Sequence, residues 1–285
     1  MIDLNQYREK IDEIIEKALE EDIGKEDVTT RAIFKSKKIA QATVFSKENG
    51  ILAGIPILQS VFRKVDPELT INPELQDGGK IKKDSKIVSI TGNIVSILKG
   101  ERTALNFLGR LSGIATLTYK FCRKVRKYNV EILDTRKTTP NMRILEKYAV
   151  TCGGGKNHRL GLYDMFLIKE NHIVGAGNIK RALRMCEEYN KNDNKNLKIE
   201  IEVKNLRELE EALQEKAEWI MLDNMNPEDM KKAVSITDHR AKLEASGRVK
   251  LNNIEKIAET GVDFISIGCI THSAKSIDFS LLITS

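Results

Sequence analysis

Cysteine and histidine are scarce, four of each in 285 residues. Cys122, Cys152, Cys186 and Cys269 are widely spaced and form no CxxC, which argues against a disulfide framework or a zinc site and for reduced thiols. His158, His172, His239 and His272 show no HxxxH or similar ligand spacing. Aromatic residues are only 5% of the chain, too few for an evident base-stacking platform. No apolar run approaches the roughly 18 residues of a membrane span. The start, Met1-Ile2-Asp3-Leu4, lacks the basic and apolar regions of a signal peptide, so a cytoplasmic location with no membrane partner is the default expectation. GxGxxG, GxxxxGK[ST] and GxSxG are absent as well.

What remains is an ordinary globular composition, 41% hydrophobic and 31% charged, with a net charge of +6. That excess suits an anionic substrate, a nucleic acid or plain solubility, and much of it sits in the solvated-looking stretch Lys120 to Lys127. The length allows one large domain or two smaller ones.

Residues 4–20 carry helical periodicity. Ala40–Phe45, Leu69–Ile71 and Lys86–Ile90 read as strands of a mixed sheet, with Asp77-Gly78-Gly79 as a turn. A long helical pattern follows from about Ile94 to Val125, broken by Gly100, Gly109 and Gly113. From about residue 130 the pattern changes to short apolar runs alternating with amphipathic stretches. The runs are Val130–Leu133, Met165–Ile168, Leu197–Val203, Trp219–Leu222, Lys242–Ala245 and Phe264–Ile267. The later ones recur about every 22 residues, the signature of parallel strands joined by right-handed crossovers. A closed or nearly closed α/β barrel is the natural architecture, and a doubly wound open sheet is the alternative.

In such a barrel the chemistry sits at the C-terminal strand ends. There the sequence offers Asp134-Thr135-Arg136-Lys137, Lys169-Glu170-Asn171, Glu200 with Glu202, Asp223-Asn224, Glu244-Ala245-Ser246-Gly247 and Gly268. Leu197, Ile199, Ile201 and Val203 share one face of their strand, which turns Glu200 and Glu202 into the barrel. Glu202, Asp223 and Glu244 recur at 21-residue intervals, so similar heights on neighbouring strands are expected. The cations Arg136, Lys137, His158, Arg159 and Lys169 form a second group, and Gly153-Gly154-Gly155 precedes His158 as a glycine-rich stretch able to cradle an anion. Cations beside carboxylates suit a phosphorylated ligand with a divalent metal. No nucleophile–base pair is evident, which favours a displacement driven by electrostatics.

The segments Ile132-Leu133-Asp134-Thr135-Arg136-Lys137-Thr138-Thr139-Pro140, Gly153-Gly154-Gly155-Lys156-Asn157-His158-Arg159-Leu160-Gly161-Leu162 and Leu167-Ile168-Lys169-Glu170-Asn171-His172 closely resemble the quinolinate phosphoribosyltransferase family. So do Glu101–Asn106, Ser112–Thr116, Met221–Asn224, Glu244–Gly247 and Ile265–Gly268, in order along nearly the whole chain. The resemblance implies an α/β protein: an N-terminal α/β sandwich domain at 1–110 with the tail 271–285 packed on it, and an incomplete (β/α) barrel of parallel strands at 111–270. It implies transfer of phosphoribosyl from phosphoribosyl diphosphate to quinolinate with loss of CO2, giving nicotinate mononucleotide for NAD biosynthesis, and a homodimer sharing its active sites, further assembly being left open. Arg136, His158, Arg159 and Lys169 would hold the quinolinate carboxylates, with Arg102 coming from the partner subunit. Thr135 and Lys137 would meet phosphoribosyl diphosphate, Lys137 with a catalytic role. Glu202 and Asp223 would act on the ribose hydroxyls and Mg2+, directly or indirectly. Ser246, Gly247, Arg248, Ile267, Gly268 and Cys269 would bind the 5′-phosphate.

Two positions depart from the family pattern. Arg248 stands where glycine or asparagine is common, and Gly109 replaces a polar residue. Three other readings compete: a Schiff-base barrel lyase with Lys169 as nucleophile, a paralogous enzyme of the same fold acting on another acceptor, and a non-enzymatic nucleic-acid binder suggested only by the net charge.

Overall fold

The computed structural model describes residues 2–283. Two compact units emerge. The first holds the chain up to Tyr119 together with Thr138–Gly154 and the stretch from Cys269, and the second holds Lys120–Lys137 and Gly155–Gly268.

The first unit begins with a short 3-10 turn, then α1 (Arg8–Ile23) and α2 (Val28–Ile33), followed by β1 (Ile39–Ser46), β2 (Gly50–Ile51), α3 (Ile55–Val65), β3 (Thr70–Pro73), β4 (Lys80–Ile81), β5 (Lys86–Asn93) and α4 (Ile94–Val125), whose residues from Lys120 on belong to the second unit. The next elements are β6 (Glu131–Leu133), α5 (Arg143–Cys152), β7 (Phe166–Ile168), α6 (Glu170–Ala176), α7 (Ile179–Asn192), β8 (Ile199–Val203), α8 (Leu206–Gln214), β9 (Trp219–Asp223), α9 (Pro227–Thr237), β10 (Lys242–Ser246), α10 (Ile254–Ala258), β11 (Phe264–Ser266), α11 (Cys269–His272) and β12 (Phe279–Ile283).

The first unit's main sheet runs β12-β1-β5-β3. Every neighbour is antiparallel, so the expected mixed sheet is a purely antiparallel one. Antiparallel neighbours need no crossover connection, and β12 from the C-terminal stretch completes the sheet beside β1. Ala40, Ala42 and Val44 of β1 alternate inward, and α3 buries Ile57, Leu58, Val61 and Phe62. Asp77, read as part of a turn, also caps α3: its carboxylate accepts from the Gly54 and Ile55 N–H groups at 2.8 and 3.1 Å.

The 32-residue helix α4 is unbroken, against the sequence expectation. Its glycines are packing positions. A Cβ on Gly109 would lie 2.7 Å from the Ile277 carbonyl oxygen, one on Gly113 would collide with the Lys275 carbonyl, and one on Gly100 would sit 2.8 Å from the Phe62 ring. Gly109, Gly113, Ser112 and Thr116 recur at helical spacing. Ser112 Oγ accepts from the Ala53 N–H at 3.0 Å, and Thr116 Oγ1 accepts from the Ile51 N–H at 2.8 Å. The departure at Gly109 thus has a cause: the C-terminal tail runs against that face, with the Ile277 N–H donating to the Gly109 carbonyl at 3.0 Å.

Helix α5 is tied into the same unit. Glu146, fully buried, accepts from Arg110 Nε and Nη2 at 3.0 and 2.7 Å and from the Thr139 N–H at 3.1 Å. Arg110 Nη1 donates in turn to the Ala274 carbonyl at 3.0 Å. Tyr148 donates its hydroxyl to Asp77 at 2.7 Å.

The second unit holds a six-stranded parallel sheet in the order β6-β11-β10-β9-β8-β7, the incomplete barrel of the sequence reading. Its edge strands β6 and β7 are not paired with each other. Crossovers α7, α8 and α9 each start on an asparagine, Asn178, Asn205 and Asn226, whose side chain accepts from the N–H three residues on. Such a cap is worth about 1 kcal/mol and sets where each strand hands over to its helix. Near the strand starts, Trp219 and Phe264 stack at 4.7 Å between ring centres.

Candidate functional site

Register decides which side chains share a level. Glu200 pairs with Trp219, and Glu202 with Met221. Met221 pairs with Glu244, and Asp223 with Ser246. Glu202 and Glu244 therefore lie level, flanking Met221, while Asp223 sits one inward step higher, beside Ser246. The 21-residue spacing implied equal heights for all three. The register offset is 19 residues between β8 and β9 but 23 between β9 and β10, because the two crossovers differ in length.

Asp134, fully buried just past β6, anchors the next segment. Its carboxylate accepts from the His158 N–H at 2.9 Å and from Asn157 Nδ2 at 2.6 Å. His158 then points its ring into the barrel. Nε2 lies 2.8 Å from Glu200 Oε2 and 3.6 Å from Glu244 Oε2, and Nδ1 accepts from the Arg159 N–H at 2.8 Å. Both carboxylates are fully buried. Burial pushes the Glu200 carboxyl up, against the nearby charge of Arg159. Burial and then the charge of Glu200 push Glu244 up.

His158, Glu200 and Glu244 could supply three metal ligands within 4.8 Å of one another. The 2.8 Å contact is a hydrogen bond, however. It is shorter than the roughly 3.3 Å that separates two tetrahedral ligands at zinc bond lengths.

Arg159 is 9% exposed. Its Nη1 donates to the Met165 carbonyl at 3.2 Å, while its buried Nε has no hydrogen-bond partner among the described residues. Burial, followed by the positive charge of Arg136, disfavours its charged state, so two guanidiniums stand near each other. Lys169 closes β7 and its Nζ donates to Glu202 Oε2 at 2.8 Å. Its backbone N–H is held by His172 Nδ1 at 2.9 Å. Arg136 and Lys137 are exposed on the loop after β6, where Thr135 Oγ1 accepts the Lys137 N–H at 3.0 Å.

Past β10, Gly247 and Arg248 both adopt positive φ, 98° and 51°. A Cβ on Gly247 would collide with the Asn224 amide. The Arg248 conformation is one that glycine and asparagine tolerate and arginine does not favour, which gives the departure at this position its physical meaning. The Ile267 N–H donates to the Leu133 carbonyl at 2.9 Å, and α11 after Gly268 is a single turn. Arg102 is exposed on α4 in the first unit.

The barrel mouth thus combines Arg136, Arg159 and Lys169 with Glu202 and Asp223, an arrangement that can bind a polyanion and stabilise positive charge beside it. Sequence reasoning named those five. It missed Asn157 as a tether and His172 as the support of Lys169, neither of which has a local signal.

Comparison with known proteins bears on this geometry. The quinolinate phosphoribosyl transferase N-terminal domain model matches residues 27–112, and the C-terminal domain model matches residues 114–282. A mitochondrial quinolinate phosphoribosyltransferase (decarboxylating) 2 of Nicotiana glauca is 39% identical over 95% of this chain and 81% of its own length. A probable nicotinate-nucleotide pyrophosphorylase (carboxylating) of Bacillus subtilis is 39% identical over 93% of this chain and 90% of its own. The solved nicotinate-nucleotide pyrophosphorylase of Francisella tularensis superposes with a TM-score of 0.93 at 41% identity, covering 97% of this chain and 96% of that one.

Proposed function

The chain belongs to the quinolinate phosphoribosyltransferase family, and from that premise we propose how its barrel mouth carries out the family reaction. It joins quinolinate to phosphoribosyl diphosphate and releases diphosphate, CO2 and nicotinate mononucleotide, a precursor in NAD biosynthesis. The observation that carries the site assignment is Arg159: a buried guanidinium with an unpartnered Nε, near a second cation, Arg136. A buried donor of this kind is costly unless a ligand meets it, and guanidinium matches carboxylate geometry.

Arg136, Arg159 and Lys169 neutralise and orient the two quinolinate carboxylates, with Arg102 reaching in from a partner subunit. His158 serves this pocket through its backbone and its neighbour, since both ring nitrogens already have protein partners. The pyridine nitrogen bonds to the ribose anomeric carbon as the bond to diphosphate breaks. Glu202 and Asp223 hold ribose hydroxyls and stabilise the positive charge that develops on the sugar. Lys137, beside Thr135, faces the diphosphate. The backbone at Ser246-Gly247-Arg248 and Ile267-Gly268-Cys269 takes the 5′-phosphate. Once the ring nitrogen is alkylated it accepts the electron pair left as the 2-carboxylate departs as CO2, and a proton replaces it on carbon.

Mg2+ suits the same mouth. Glu202 and Asp223 are oxygen donors on adjacent strands, both partly exposed, and a site of one or two carboxylates completed by phosphate oxygens and water fits this ion. When bound, it would carry charge on the departing diphosphate. Lys169, half-exposed and ion-paired, is not the desolvated amine that a Schiff-base mechanism needs.

A homodimer is supported by Leu162, Tyr163 and Val174 of the second unit, which are 73%, 71% and 73% exposed. Large apolar side chains so exposed suit a subunit interface. A cytoplasmic setting is supported by four unbridged cysteines, and no helix among the described residues is long and apolar enough to cross a membrane. The deciding experiment supplies quinolinate, phosphoribosyl diphosphate and Mg2+ and looks for nicotinate mononucleotide. Nicotinate in place of quinolinate should give none, since one carboxylate leaves the cation pocket half filled.

A further inference from the structure

Glu200 and Glu244 raise a question that the reaction itself does not answer. Both are fully buried in the barrel, and three of their four oxygens, together with Ser266 Oγ, have no hydrogen-bond partner among the described residues. Two leucines would fill such a space at far lower cost, because a buried carboxylate must be paired or protonated. The fourth oxygen, Glu200 Oε2, shows what the cluster does: it lies 2.8 Å from His158 Nε2.

The other ring nitrogen settles the direction of that bond. His158 Nδ1 accepts from the Arg159 backbone N–H, so the proton of the neutral imidazole belongs on Nε2 and is donated to Glu200. Glu244 lies behind, 3.6 Å from the same nitrogen. From His158 the chain passes directly to Arg159. With Asp134 holding Asn157 and the His158 backbone from β6, and Glu200 holding the His158 ring from β8, the segment 157–159 is clamped between two strands.

We infer that Glu200, backed by Glu244, is a positioning residue for the transferase reaction: by accepting the His158 Nε2–H it sets the height and direction at which Arg159 meets a substrate carboxylate. This rests on the assignment of Arg159 to the carboxylate pocket. Glu200 touches no reacting atom.

The test is steady-state kinetics on Glu200→Leu, Glu200→Gln and Arg159→Ala, with both substrates varied. Glu200→Leu cannot accept the imidazole proton. It should raise the KM for quinolinate about tenfold or more and leave that for phosphoribosyl diphosphate within about twofold. Glu200→Gln, whose amide oxygen still accepts, should return the quinolinate KM to within about threefold of the parent. If Arg159→Ala raises the quinolinate KM but Glu200→Leu shifts both substrates equally or neither, Glu200 is merely structural and the inference is wrong. If Arg159→Ala leaves the quinolinate KM unchanged, the pocket assignment falls and takes the inference with it. Nitrogen-15 spectra of His158 in the unmodified protein decide independently of variant folding. The Nε2–H form is expected, and an Nδ1–H tautomer with a bare Nε2 would overturn the clamp.

Discussion

Lys169 Nζ and Glu202 Oε2 are 2.8 Å apart, so a cation assigned to one substrate and a carboxylate assigned to the other neutralise each other in the free protein. Ligand binding must exchange this pair for two new ones. Lys169→Ala should lower quinolinate affinity about 10- to 100-fold, the scale of one charged hydrogen bond, and Arg136→Ala should do likewise. Phosphoribosyl diphosphate affinity should fall less. Calorimetry with each substrate checks this, and equal losses for both would contradict the division of roles.

The buried pair makes stability depend on pH. Glu200 and Glu244 are pushed from the usual 4.5 up to about 8, in both cases chiefly by burial. Between those values the folded protein holds more protons than the unfolded chain. Their stabilising contribution is full below the unfolded value and is lost as pH rises through the folded one. Urea denaturation should therefore show this contribution shrinking from about pH 5 to about pH 8. Glu244→Gln, neutral throughout, should flatten the slope, and an unchanged slope would remove Glu244 as its source.

The glycines of α4 and α6 should respond oppositely to alanine. At Gly113 a Cβ meets the Lys275 backbone carbonyl, which has no rotamer to yield, so Gly113→Ala should cost about 1–3 kcal/mol and loosen the tail. At Gly175 a Cβ meets nothing within 4 Å, so Gly175→Ala should gain about 0.5–1 kcal/mol. Denaturation midpoints and limited proteolysis near residue 275 report both effects.

Arg248 holds a left-handed backbone, φ 51°, next to Gly247 at φ 98°. Arg248→Asn keeps that shape in a residue that tolerates it. Stability should rise by roughly 1 kcal/mol in thermal unfolding. A loss instead would mean that the arginine side chain contributes more than its backbone costs.

The barrel was legible because alternation and the recurring strand–helix pattern are local properties. Ile199, Glu200, Ile201, Glu202 and Val203 announce one apolar and one carboxylate face without reference to the rest of the chain. Glu200 could be read as inward, and it proved fully buried. The reading failed where a residue's meaning depended on something distant. Gly100, Gly109 and Gly113 looked like breaks in a helix, because Phe62 and the tail at 275–277 are far away in sequence. Asp77 looked like a turn residue, because the α3 start that it caps lies more than twenty positions earlier.

Sequence alone determined the order of strands and helices, the kinds of charge at the strand ends and the family whose motifs those residues spell. Residue chemistry and alternation act over a few bonds and survive in any register. Tertiary structure decided that Glu202 stands level with Glu244 while Asp223 stands level with Ser246, since register follows the length and packing of each crossover. It also decided that the His158 ring turns inward to Glu200 while the next residue, Arg159, is left with a donor to spend. Those choices depend on which buried groups meet across the barrel, which no local stretch of sequence contains.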